Sequence, residues 1–296
     1  AGAVVITGGI GLTTALTSLD INQGGGAGTI TIDDIGDAGV GVTAATRIGN
    51  AATTNITLGG TVYRTTGAQT YVAVAGNTID LTAGATTTFT STNTAITFGT
   101  GTVELADGSN LVVTSGAGAG NISLVAIKGS SVEDVTLNAG TGSIGVGQIG
   151  TVASEINDVT LTGVTITLNG NISTDNIGAD TGDVDINGAV SLGAAVTIDT
   201  SGGNGTVDFS GTLNGAFDLD ISSGSGAVAI QGVTGGAAAL ASLDINQAAG
   251  SGTIEVANIG NAGGAAGVTN ATRIGNATTT QLTLDGTGYN ANAQTY

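Results

Sequence analysis

The chain has 296 residues and a formal net charge of -18, from 22 acidic side chains against 4 basic ones and no histidine, which excludes the basic stripe by which proteins hold nucleic acid or anionic membrane surfaces. Cysteine is absent, which excludes disulfides, thiolate metal sites and cysteine nucleophiles. Only 9% of residues are charged while 40% are hydrophobic, with four Phe, four Tyr and no Trp or Met, so the chain can bury a core, and that core is expected to be narrow and filled by branched aliphatics.

Short runs of strict two-residue alternation follow one another along the chain, each bounded by Gly, Asn or Asp. The first is TITID from Thr29, followed by NITLGG from Asn55, NTIDLTAG from Asn77 and GTVELADG from Gly101. DVTLTG and VTITLNG then run from Asp158 to Gly170, followed by GDVDING from Gly182, AVTIDTSG from Ala195, GTVDFSG from Gly205 and GAVAIQG from Gly226. Each run predicts a strand with Val, Ile, Leu or Phe on the inner face and Thr, Asp, Glu or Ser on the outer one. Helical periodicity is missing; the Ala-rich piece from Gly235 to Leu240 comes nearest, but it is short and flanked by glycine.

Superimposed on this short period is a long one. LTSLDINQ at Leu16 to Gln23 returns as LASLDINQ at Leu240 to Gln247, ATRIGNA at 45–51 returns at 271–277, and AQTY at 68–71 returns at 293–296. The offsets are 243 − 19 = 224 for the Leu of LDINQ, 273 − 47 = 226 for the Arg and 296 − 71 = 225 for the last Tyr. Residues 1–224 are therefore read as one complete long repeat and 225–296 as the start of a second copy matching 1–71, with no independent domain boundary expected. The sequence after Tyr71 has no counterpart after Tyr296, so the chain is expected to be cut from a longer array.

Strands spaced by about ten residues suit a sandwich or a solenoid. A sandwich has to bridge ~10 Å between its sheets with bulky side chains, which are scarce here. The 54 glycines, with Asn and Asp, supply the positive-φ corners of a tightly wound coil, and the absence of proline leaves strand ladders uninterrupted. The expected fold is all-β, a parallel β-helix (β-solenoid) continuous through a tandem repeat of about 225 residues. With roughly 20 residues per coil and ~4.8 Å between coils, one repeat would make on the order of eleven coils. Open edges at both ends would recruit further strands, so copies of the chain are expected to associate end to end or side by side.

The alternating T-x-T and V-x-I runs, the GAGN turn at 118–121, the GGNG turn at 202–205 and the low aromatic content resemble the β-helical exoproteins of diderm bacteria, among them the filamentous-haemagglutinin-like adhesins and the giant β-strand-repeat surface proteins. The resemblance implies a right-handed parallel β-helix, export through the outer membrane, and an extracellular, cell-surface role in adhesion or fibre formation, with host or neighbouring-cell glycans or proteins as partners. The Asn-Pro-containing secretion motif of that family has no counterpart in a chain without proline.

The candidate chemistry is sparse. Asp33 and Asp34 are paired carboxylates, but catalysis on polysaccharides draws on cationic or His partners to tune acids and hold substrate, and the four cations Arg47, Arg64, Lys128 and Arg273 are widely separated. The expectation is no enzyme and no resident cofactor, with a glycan-binding or polysaccharide-degrading β-helix as the alternative. Asp175, Asp180, Asp183 and Asp185 are oxygen ligands suited to weak Ca²⁺ binding, although neither the EF-hand spacing nor a Ca²⁺-binding nonapeptide occurs. Arg47 and Arg273 occupy the same place in both copies, where they would bridge carboxylates of adjacent coils or contact a neighbouring fibre. Tyr63, Tyr71, Tyr289 and Tyr296 fall in the copied region as well, either plugging a wider coil or forming an exposed adhesive patch.

Overall fold

A computed structural model describes residues 2–37, 41–130, 132–175, 181–261 and 267–296. Among the described residues there are 27 strands and no helix, and the strands stack in parallel as a β-solenoid of about 12 turns. The chain forms two compact units, Ala1–Gly145 and Val146–Tyr296, a division that falls inside the long repeat.

In the first unit three ladders run up the solenoid. One stacks Val4–Ile6, Thr29–Ile32, Asn55–Leu58 and Thr78–Leu81 under the second half of Ile96–Leu105. The second joins Val62–Arg64, Thr87–Thr90, Leu111–Thr114 and Val135–Asn138. The third joins Leu19–Ile21, Thr46–Gly49, Gln69–Val72 and the first half of Ile96–Leu105. The alternation sorts side chains as the sequence predicts: Ile30, Ile32, Ile56, Leu58, Ile79 and Leu81 are sealed inside, while Thr31, Thr57 and Asp80 point outward on the same rungs. Because the rungs of the first ladder contribute the same kind of branched side chain at the same place, this part of the core is a set of aliphatic columns, and each inner strand pairs with the rungs above and below it.

The second unit repeats the plan. Val159–Leu168, Val184–Leu192 and Val207–Phe209 lead into Val228–Ile230, Thr253–Val256 and Gln281–Leu284 on one side. Ile172–Ser173, Val196–Asp199, Asp218–Ser222, Ser242–Ile245, Val268–Ile274 and Ala291–Thr295 form another. The Ala-rich piece is not helical: Leu240 is buried and bridges in parallel to Val268.

Two features depart from the expectation. The turns are longer than the sequence spacing suggests, with register steps between paired strands that run from 228 − 207 = 21 to 272 − 243 = 29, because a turn holds more than two strand positions together with the corners between them. The core is also not purely aliphatic. Tyr63, Tyr71, Phe89 and Phe98 gather inside the first unit, with Tyr63 stacked on Phe89 at 4.7 Å and Tyr71 on Phe98 at 5.2 Å, so four of the eight Phe and Tyr residues form one buried cluster.

The corners explain the glycine content at specific positions. Gly49 and its copy Gly275 have φ of 77° and 79°, a conformation that strains L side chains. A Cβ on Gly49 would also stand 2.2 Å from the Val72 carbonyl oxygen of the next rung. Asn22 and its copy Asn246 take the same left-handed corner at φ 59° and 52°, one of the few roles in which Asn replaces Gly.

Candidate functional site

The words that recur in the sequence assemble, in each copy, into one side-chain constellation with three parts. The first is a corner of amides. Gln23 Nε2 donates to the Gly49 carbonyl at 2.7 Å, Asn22 Nδ2 donates to Thr53 Oγ1 at 2.9 Å, and Asn50 Nδ2 donates to the Asn22 carbonyl. In the second copy Gln247 Nε2 donates to the Gly275 carbonyl at 2.5 Å and Asn276 Nδ2 to the Asn246 carbonyl at 2.5 Å. Amides suit this place because each one satisfies backbone carbonyls that the turn withdraws from the ladder.

The second part is an outward ion pair between adjacent rungs. Arg47 forks Asp20, Nε to Oδ1 at 2.7 Å and Nη2 to Oδ2 at 2.9 Å, and Arg273 forks Asp244 in the same way, with Nε to Oδ1 at 2.7 Å. The register Asp20↔Arg47 and Asp244↔Arg273 sets each guanidinium directly over its carboxylate. The hydrogen bond from Arg47, aided by its charge, holds the Asp20 carboxyl below the usual range, and the carboxylates in turn raise both arginines.

The third part points inward. Tyr63 accepts from the Gly60 amide at 3.1 Å, Gln69 Nε2 donates to the Tyr63 carbonyl at 3.0 Å, and the Tyr71 hydroxyl donates to Gln69 Oε1 at 2.9 Å. The second copy reproduces each bond: the Gly286 amide to Tyr289 Oη at 2.5 Å, Gln294 Nε2 to the Tyr289 carbonyl at 2.8 Å, and the Tyr296 hydroxyl to Gln294 Oε1 at 2.7 Å. Even the ring geometry is kept, edge-on at 6.3 Å for Tyr63 and Tyr71 and at 6.4 Å for Tyr289 and Tyr296. Burial raises both first-copy phenols far above their ordinary value, so they stay neutral hydrogen-bonding groups.

Among the described residues the other singled-out carboxylates do not form one group. Asp183 accepts from the Thr206 amide at 2.7 Å and the Thr181 hydroxyl at 2.9 Å, which makes it a turn cap. Asp185 lies on an outward strand position in register with Asp208 on the next rung; partial burial, then the neighbouring Asp183, raises its carboxyl, and burial followed by Asp185 raises that of Asp208. Asp175 lies beside Glu155, whose carboxyl is raised first by burial, with the Ser173 hydroxyl opposing at 3.2 Å. Asp180 lies outside the described residues. Among the described residues no group of three or more acidic side chains is arranged to hold a metal ion. The carboxyls of Asp33 and Asp34 are engaged by backbone amides, Asp33 by Gly8 and Asp34 by Thr61 and Val62.

Sequence reasoning found Arg47, Arg273 and the tyrosines but missed their partners, Asp20, Asp244, Gln69 and Gln294. The signal was present: SLDINQ and AQTY carry those residues inside the recurring words. Chemically the corner amides and the arginine pairs brace one rung to the next, and the Tyr–Gln–Tyr bonds tie positions of a single turn, an arrangement that suits cohesion. No protein-family model, curated protein or solved structure matches this chain.

Proposed function

We propose that the chain is a segment of a structural fibre or fibrous adhesin, extracellular and displayed at a cell surface, that works by length, stiffness and association with copies of itself and has no catalytic role. The single observation that carries this reading is the rung-to-rung bracing by the Gln, Asn and Arg side chains of the recurring words, present in both copies one long repeat apart. Recurring words that hold rung to rung suit mechanical continuity. An enzyme or a glycan-binding groove would instead concentrate carboxylates and exposed aromatics on one face. The net charge of -18 keeps laterally crowded copies from collapsing onto each other. Surface glycans or proteins of a host or neighbouring cell are the external partners that the adhesin form of this reading implies.

Negative-stain imaging of the purified chain at increasing concentration tests the proposal. Unbranched rods a few nanometres wide that lengthen with concentration are the expected result. Beads on a string, or robust turnover in a polysaccharide hydrolase and lyase screen, would overturn it.

A further inference from the structure

The charges of the first unit are sorted onto one side of the coil. Between residues 65 and 145 the charged side chains are Asp80, Glu104, Asp107, Lys128, Glu133 and Asp134. Asp80, Glu104 and Lys128 stand in one outward row of the first ladder, in register from rung to rung, with Lys128 Nζ 3.0 Å from Glu104. The other three lie in the corners that lead from this ladder to the second. There Glu133 is buried and accepts from the Gly108 amide at 3.0 Å, and Asn110 Nδ2 donates to Asp134 at 3.2 Å. The rest of each turn is uncharged, over residues 81–103, 108–127 and 135–145. The second ladder, the corner after it and the third ladder therefore share one neutral surface that continues across stacked rungs.

This surface is made of hydroxyl and methyl groups. Thr88, Val112 and Thr136 form one outward row of the second ladder and Thr90, Thr114 and Asn138 the next, while Thr97 and Ser123 continue the pattern on the third. Val125, beside Ser123, is 50% exposed. The rings of Tyr63, Tyr71, Phe89 and Phe98 are all turned inward, so the surface presents no aromatic face to a glycan. We propose that this neutral surface is the face by which one copy of the chain lies side by side with another. The inference rests on the fibre reading and names the surface that its lateral association uses. Two chains of net charge -18 repel, and any contact that sets carboxylate against carboxylate adds the cost of burying like charges. In the second unit one ladder carries Asp185, Asp208 and Glu255 in a single outward row, and the other carries Asp220, Asp244 and Arg273. On the neutral surface of the first unit a second copy displaces water from hydroxyls and methyls alone. Three rungs ~4.8 Å apart, with strands of about 13 Å on two ladders, present on the order of 400 Å², half of the ~800 Å² that each partner gives to a stable interface. One such contact is weak, and its recurrence along an array makes it strong by avidity.

The chain has no cysteine, so a single introduced thiol reports only on contact between copies. Thr114→Cys places it on the neutral surface; Thr57→Cys places it outward on the first ladder, in register with Asp80. A short bifunctional maleimide should bridge Thr114→Cys chains about tenfold faster than Thr57→Cys chains, and faster at ~0.5 M than at ~0.05 M salt, because salt screens the acidic repulsion and the contact holds no ion pair for it to weaken. Equal bridging at the two positions, or bridging of Thr114→Cys chains that slows with salt, overturns the inference. Adding Thr90→Glu and Thr136→Glu to the Thr114→Cys chain should bring its rate down to that of Thr57→Cys, whereas adding Thr31→Glu and Thr57→Glu should leave it nearly unchanged. An equal response to the two pairs also overturns the inference, and hydrogen exchange of the buried strands checks that each variant is folded. Rod formation is scored separately by imaging. Rods that form while both thiols are bridged equally reject this surface and leave the fibre reading standing; bridging at Thr114→Cys alone without rods rejects the fibre and leaves the side-by-side pair.

Discussion

Tyr71 and Tyr296 hold the same position in two copies of one sequence block and make the same hydrogen bond to a glutamine two residues earlier. One is sealed between rungs and stacked on Phe98; the other is half exposed. The contrast separates two contributions that usually arrive together. The local network of Tyr, Gln and Tyr forms from the copied sequence alone, because its partners are close neighbours along the chain. The burial that makes the network energetically important comes from a different stretch of chain, residues 72–98, which lies outside the copied block.

The comparison can be broken most forcefully at the tyrosines themselves. Tyr71→Ala removes a fully buried ring from contact with Phe89 and Phe98, and the expected loss is about 3–5 kcal/mol by analogy with other large-to-small aromatic substitutions in cores. Tyr296→Ala removes a ring that already meets solvent, and the loss is expected to stay below about 1 kcal/mol, as for most exposed substitutions. Urea denaturation followed by hydrogen exchange reads the two sites separately. Equal losses would show that the rung above contributes little and that the local network is the whole of the brace.

How much of this was legible in the sequence follows from the same distinction. The strand faces were readable because a period of two forces every second side chain inward once pairing begins; Ile30, Ile56 and Ile79 form one column for that reason. The corners were readable because Gly and Asn mark positive φ. The length of a turn was not, since a solenoid tolerates corner insertions without losing register: the short step from Val207 to Val228 and the long one from Leu243 to Thr272 both leave the ladders parallel. The aromatic cluster was not legible either. Phe89 and Phe98 carry no recurring word, and their relation to Tyr63 and Tyr71 appears only when a full turn of the coil brings distant positions into register, as in Tyr63↔Phe89. Arg47 and Arg273 were visible as a pair in sequence, whereas Asp20 and Asp244 became their partners only through the rung offset.

A second comparison sets the units against each other in their response to pH. In the second unit burial raises the carboxyls of Glu155, Asp185, Asp208 and Asp220, whereas in the first unit Asp20 is held low by Arg47. An acid with a raised folded pKa favours the folded state when protonated, so its contribution is full below the unfolded value and is lost as pH rises through the folded one. Lowering the pH from 7 should therefore stabilise the second unit, the gain accumulating as each raised carboxyl protonates and becoming complete below the unfolded values of 4.5 for Glu155 and 3.8 for the aspartates. Asp20 works in the opposite sense: its contribution is present above 3.8 and disappears as pH falls through its lowered folded value. Hydrogen exchange at pH 7 and about pH 4.5, compared unit by unit, checks the sign. The Asp208→Asn chain should show a smaller acid gain, and an unchanged gain would remove Asp208 from the account.

The smallest effect is expected where the sequence signal was strongest. Arg47 is copied as Arg273 and forks its carboxylate with good geometry, yet both partners of the first pair stand well out in solvent, so water and salt screen most of the attraction. Arg47→Gln should lower the unfolding midpoint slightly at low ionic strength and leave it unchanged at about 1 M salt, where the Debye length is ~3 Å. Asp244 is more enclosed than Asp20, with 15% of its side-chain surface exposed against 41%, and it has Asp220 on the rung below. Arg273→Gln therefore uncovers two stacked carboxylates of like charge, and its effect should be the larger of the two and should persist further into high salt. Equal midpoints for the two variants across the salt series would mean that Asp220 is not felt by the pair, and that the copied arginines differ only in their neighbours and not in what they hold together.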